Sequence, residues 1–205
     1  MPRRRYDNFY PSVTGILNVL RKAGLEMWFK YNTLEFTNAE STRGKLIGTE
    51  IHEAIQKNIE TGQTDFETEY PEEVGTALKS FVLFRTEHPE VKLIKCEQAL
   101  TSEKHQYNGT IDVITPSEVG DWKSGKCGKK DKPTIYPEHK FQVSAYVKLW
   151  NETQKATIEK AWIASIAKDQ VAYNFYEMGK EEIDDCFNVV FLSCLKICNY
   201  QKAHK

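Results

Sequence analysis

The sequence predicts an α/β fold, a central mixed β-sheet flanked by helices, preceded by a mainly helical N-terminal part. Three observations predict it. Up to about residue 90, apolar residues recur at helical spacing. From Val91 the period becomes strand-like, with three consecutive stretches rich in β-branched residues. A helical stretch then separates these from two further strands and a closing helix.

The elements follow in order. Ser12 is a helix N-cap, and Val13, Ile16, Leu17 and Leu20 form one apolar face of a helix running to about Lys22 and ended by Gly24. A second helical piece contains Met27, Trp28 and Phe29. Residues 39–61 are helical again, with Ile47, Ile51, Ala54 and Ile55 on one side and Gly62 as the stop. Pro71 suits the first turn of the next helix, which His88-Pro89 closes. Strands are expected over residues 91–99, 107–115 and 119–123, with Pro116-Ser117 turning the last two against each other. A helix over 137–152, strands over 160–167 and 171–176, and a helix over 181–201 complete the chain.

At 205 residues this suits one domain, 1–205, with a helical part over 1–90 and an αβ core over 91–205. The 40% hydrophobic content is enough for a core, and the longest apolar run near the C-terminus, Val189 to Leu192, is too short to cross a bilayer. No membrane association is expected. The basic start, with Arg3, Arg4 and Arg5, is followed by no apolar stretch of the secretory kind. Five irregularly spaced cysteines suit reduced thiols and a cytosol-like compartment. The expected location is cytoplasmic, or the mitochondrial matrix for an organellar protein without its presequence.

The most informative stretch is Gly109-Thr-Ile-Asp112, followed nine residues later by Asp121-Trp-Lys123. Along a strand, positions i and i+2 share a face, so Asp121 and Lys123 project together. Pairing around the turn brings Asp112 beside Asp121. Adjacent carboxylates repel and raise each other's pKa, and a divalent cation removes that cost. Such a group suits metal-assisted phosphodiester hydrolysis. Glu97, near the centre of the first strand, can join from the sheet edge, and His52 on the preceding helix can add a nitrogen ligand. Gln142 and Tyr146 lie four apart on one helix face. Five lysines run from Lys123 at the end of the active strand to Lys132, including Lys126, Lys129 and Lys130, and suit a flexible cationic loop for phosphates. Net charge is −1, which argues neither for nor against nucleic acid. Trp122 alternates with Asp121 and Lys123 and should face the core, whereas Trp28, Phe29 and Tyr31 can stack on unpaired bases.

The ordered series Gly48-Thr-x-x-His52, Glu97, Gly109-x-x-Asp112, Asp121-x-Lys123 and Gln142-x-x-x-Tyr146 resembles the PD-(D/E)XK nuclease superfamily. Within its RecB-like exonuclease branch, the chain is most similar to the mitochondrial genome maintenance exonuclease and related phage and bacterial exonucleases. Tyr10-Pro-Ser-Val-Thr-Gly-Ile-Leu and Phe141-Gln-Val-Ser-Ala-Tyr146 add to the likeness, which covers roughly residues 10 to 200. The resemblance implies a restriction-endonuclease-like core and a Mg²⁺- or Mn²⁺-dependent DNA exonuclease of replication, recombination or repair. Its substrate would be single-stranded DNA or strand ends, with a possible replication or recombination partner. Asp112, Asp121 and His52 would bind metal, Glu97 would complete the site, and Lys123 would orient or deprotonate the attacking water. Gln142 would fix the lysine or the substrate, with Tyr146 behind it. Some relatives carry a four-cysteine iron–sulfur cluster; here no cysteine precedes Cys96, so none is expected. A structure-selective endonuclease and a non-catalytic nucleic-acid-binding module or subunit are the alternatives.

Overall fold

A computed structural model describes residues 10–20, 23–62, 70–93, 95–128 and 131–204. Five strands lie in chain order across one sheet: β1 (Lys95–Ser102), β2 (Tyr107–Ile114), β3 (Glu118–Gly125), β4 (Lys160–Ala167) and β5 (Tyr173–Met178). Only the β3–β4 step is parallel. A parallel step needs a crossover, and α5 (Pro137–Gln154) supplies it.

Helices cover both faces. On one, α3 (Leu34–Thr61) and α4 (Glu72–Glu87) bury Ile51, Ile55, Leu78, Phe81 and Phe84 against Val113, Trp122, Trp162 and Ile166. On the other, α1 (Val13–Leu17), α5 and the C-terminal helices bury Ile16, Tyr146, Leu149, Phe187 and Phe191 against Tyr107, Ile111, Val119 and Ile163. The mixed sheet flanked by helices is the expected architecture. Among the described residues, no helix is long and apolar enough to cross a membrane.

Several boundaries differ from expectation for local reasons. Ser12 does cap α1, its Oγ accepting the Gly15 N–H at 3.1 Å, but the helix ends at Leu17. Val19 and Leu20 donate to the carbonyls three residues back, tightening the turn around Asn18. Gly24 therefore lies inside α2 (Ala23–Tyr31) rather than ending α1. The third helix begins at Leu34, not 39, because Thr33 Oγ1 accepts the Phe36 N–H. Gly62 ends it at φ +70°, the left-handed cap a glycine takes freely. The first strand starts at Lys95 and runs on to Ser102, held by its hairpin with β2. Residues 180–203 divide into α6 (Lys180–Asp185), a π-helical turn (Cys186–Phe191) and α7 (Leu192–Ala203). That wide turn carries Phe187 and Phe191 into the core as a stacked pair, 5.5 Å apart.

The chain's start is stitched to the sheet. Asn108 at the head of β2 donates its N–H to the Pro11 carbonyl at 2.9 Å and its side-chain amide to the Tyr10 carbonyl at 3.0 Å.

Gly120 on β3 lies against the Trp162 ring so closely that a Cβ there would overlap it. Gly120→Ala should cost about 3 kcal/mol, read as a Tm lower by roughly 6–12 °C. Among the described residues a Cβ at Gly48 would meet only Ser124 Oγ, at 3.6 Å, and Gly48→Ala should melt no lower than the parent.

Candidate active site

The site forms where β2 and β3 part. The two strands pair at Val113–Gly120 and Ile114–Val119, and the Thr115–Glu118 turn closes them. At the next step towards the open end, Asp112 Oδ2 accepts the Trp122 N–H at 3.0 Å. A side chain thus stands where a backbone rung would continue the ladder.

Around Asp112 two further ligand groups converge, His52 and Glu97. His52 Nδ1 on α3 lies 3.7 Å from Asp112 Oδ2 and 4.0 Å from Glu97 Oε1. One ligand atom from each of His52, Glu97 and Asp112 falls within 4.8 Å of the others. Cys96 and Trp122 help line the same small cavity. Next to it, Lys123 Nζ pairs with Asp121 Oδ2 at 2.6 Å. Asp121 is 0% exposed, and apart from that pair its carboxyl has no hydrogen-bond donor among the described residues.

Burial drives the electrostatics. It raises the Asp112 carboxyl to about 6, opposed by Lys123 and reinforced by Glu97. It raises Asp121 to about 7, opposed by Lys123 and reinforced by Asp112. Burial alone would lower Lys123, but Asp121 and Asp112 outweigh it and hold the ammonium above its ordinary value. A nitrogen, two carboxylates and a neighbouring buried anion short of donors fit a divalent cation of the Mg²⁺ or Mn²⁺ kind, with water filling its remaining positions.

The predicted residues separate into groups. Asp112 joins His52 and Glu97, while Asp121 pairs with Lys123. Gln142 Nε2 donates to Tyr146 Oη at 2.8 Å on α5, and Tyr146 is buried against Gly109, where a Cβ would come within 2.9 Å of its ring. Lys126 is exposed just past β3. Lys129 and Lys130 lie outside the described residues, as do Arg3, Arg4 and Arg5. The described parts of the lysine-rich segment are hydrogen-bonded to the loop that joins β4 and β5: Cys127 N–H donates to the Asp169 carboxylate at 3.0 Å, and Gln170 Nε2 donates to the Asp131 carbonyl at 3.3 Å.

Trp122 faces the core as expected, edge-on to Phe81 at 5.3 Å and Phe84 at 5.5 Å. Its backbone amide is a site element that sequence reasoning missed, although the strand register beyond Gly120 would have pointed to it. Cys96 was also missed in this role. Cys186, Cys194 and Cys198 are buried thiols in the α5-side core.

No protein-family model matches the chain, and no curated protein matches it in sequence. Among solved structures it is similar to a candidate exonuclease from Eubacterium rectale, at 10% identity and a TM-score of 0.51, over 77% of this chain and 68% of that one. It is also similar to a phage-related exonuclease from Haemophilus somnus 129PT, at 12% identity and a TM-score of 0.43, over 96% of each chain. The likeness to the Eubacterium rectale protein shows a shared fold, here a five-stranded mixed sheet flanked by helices.

Because both carboxyls titrate well above the ordinary value near 4, the metal-free fold binds protons more tightly than the unfolded chain. Their contribution to stability is full below about pH 4 and is lost as pH rises through about 6 and 7. Protons compete with a cation for the same oxygens. The rise in Tm given by a fixed Mn²⁺ concentration should therefore be larger at pH 7.5 than at pH 5.5, as measured by thermal unfolding.

Proposed function

We propose that this chain, as one domain, is a divalent-metal-dependent deoxyribonuclease that hydrolyses phosphodiester bonds, acting as an exonuclease on single-stranded DNA or strand ends. One observation carries the reading: a nitrogen-and-two-carboxylate donor set meets a buried carboxylate–ammonium pair at a single break in the sheet. The Eubacterium rectale protein of the same fold, described as a candidate exonuclease, supports the reaction class.

In this reading His52, Glu97 and Asp112 hold Mg²⁺ or Mn²⁺, and Asp121 joins from beside Asp112. The bound ion supplies Lewis-acid polarisation of the scissile phosphate and a lower pKa for water. Lys123, kept as an ammonium by Asp121 and Asp112, orients the attacking water and offsets the charge that develops on the phosphate. Gln142, on α5, positions substrate, its amide donating to the Tyr146 hydroxyl. Lys126, Lys129 and Lys130 give phosphate contacts beyond β3.

The preference for single strands draws on α2. Phe29 is 43% and Tyr31 72% exposed, and the Trp28 ring props Phe29 edge-on at 5.2 Å. Rings exposed in this way take the faces of unpaired bases, at about 1–3 kcal/mol per stacked base.

The test is digestion of 5′- and 3′-labelled single-stranded oligonucleotides with Mg²⁺, Mn²⁺ or EDTA. Cleavage should need metal, leave circular single-stranded DNA intact, vanish in Asp121→Ala, and fall by roughly 10²–10³-fold or more in Lys123→Ala. DNA binding without cleavage under any metal would overturn the reading in favour of a binding module. Phe29→Ala with Tyr31→Ala should weaken oligonucleotide binding about tenfold or more while the Mn²⁺-induced Tm shift stays as in the parent. Unchanged affinity would remove these rings from the strand path.

A further inference from the structure

Glu97 lies inside β1 with φ at +52°, the left-handed region that a side chain with a Cβ enters at a cost. The other non-glycine residues at positive φ among those described sit where chains commonly bend: Gln106 in the β1–β2 turn, Asp131 in the lysine-rich loop, Lys155 at the α5 C-cap. Glu97 alone is within a strand.

The pleat on either side of it does not match. On β1, Cys96 packs with the α3–α4 core and Leu100 with the α5 core, although residues four apart in a regular strand share a face. On β2, Tyr107 and Ile111 belong to the α5 core and Val113 to the α3–α4 core. The register is continuous through the mismatch, Cys96 opposite Val113 and Gln98 opposite Ile111, and the pair between them, Glu97 and Asp112, is the one not paired as ladder partners. Both strands therefore slip by one face at the same pair. Regular alternation would force a choice. Either Cys96 and Val113 keep their places in the α3–α4 core and both carboxylates turn to the far face, or the carboxylates reach His52 and those two anchors turn away. The slip permits both, and Cys96, Glu97, Asp112 and His52 line one cavity.

We propose that Glu97 is a positioning residue as well as a ligand: its left-handed backbone carries the coupled slip of β1 and β2 that turns the Glu97 and Asp112 carboxylates together toward His52. This deepens the metal-site reading and rests on it only for the identity of what the carboxylates hold. The strain is local and is retained because the site needs both acids on one face.

The experiment uses the full chain, stripped of metal, with Glu97→Gly, Glu97→Ala, Glu97→Val and Glu97→Gln. At φ +52° glycine is unstrained, alanine strained and valine most strained. The expected order of metal-free Tm is Gly above Ala above Val, with about 2–4 °C between Gly and Ala. A regular strand position gives the opposite order, Val above Ala above Gly, and that result would overturn the proposal. Glu97→Gln keeps the chain length and loses the charge, so it should melt no lower than the parent without metal and lose most of the Mn²⁺-induced rise. Glu97→Gly should likewise bind Mn²⁺ at least tenfold more weakly by calorimetry despite its higher Tm. Undiminished Mn²⁺ binding in Glu97→Gly would also overturn the proposal. If the parent itself shows no response to Mn²⁺, the nuclease reading fails, and the Gly–Ala–Val order still decides whether the strand is held in the kink.

Discussion

The contact on which the site depends is the Asp112 carboxylate accepting the Trp122 amide at 3.0 Å. It satisfies a backbone donor that would otherwise be left over where β2 and β3 separate, so the sheet can open without an orphaned N–H. It also fixes one oxygen of an acid that burial would prefer to keep neutral. The same tryptophan sends its ring between Phe81, Phe84 and Trp162, so one residue anchors the acid through its amide and the α3–α4 core through its ring. Position and rigidity of the site therefore come from the hydrophobic core, not from the polar groups themselves.

Those polar groups are mutually frustrated. Asp112 and Asp121 are both driven up by burial, and Lys123 answers only part of the negative charge. Buried acids gathered around a single lysine form an arrangement that a hydrophobic interior disfavours and a divalent cation relieves. The arrangement therefore adds little to folding by itself, and a bound cation is what would relieve it.

Much of this was legible in the sequence because the signals were local. Pro71 and His88 bounded a helix, Gly62 ended another, and residues 160–167 formed a strand within the expected limits. The i, i+2 rule placed Asp121 with Lys123, and they pair. What escaped was whatever breaks a period. Strict alternation cannot show two strands slipping together at Glu97 and Asp112, and it carried the first strand too early in the chain. Helical periodicity does not distinguish one long C-terminal helix from one interrupted by a π turn at residues 186–191. The division of the acids, Asp112 with His52 and Asp121 with Lys123, depends on which strand edge opens, and that is a property of the assembled sheet.

The stitch between Asn108 and the carbonyls of Tyr10 and Pro11 has a kinetic meaning. It closes a loop of almost one hundred residues that contains α1 to α4 and, on α3, His52. Helices within that loop can form from local contacts, and the β1–β2 hairpin can form from its own. Neither event brings the imidazole to the acids. That meeting needs a long-range closure of its own, His52 on α3 to Asp112 on β2, which loop entropy opposes more than either local step.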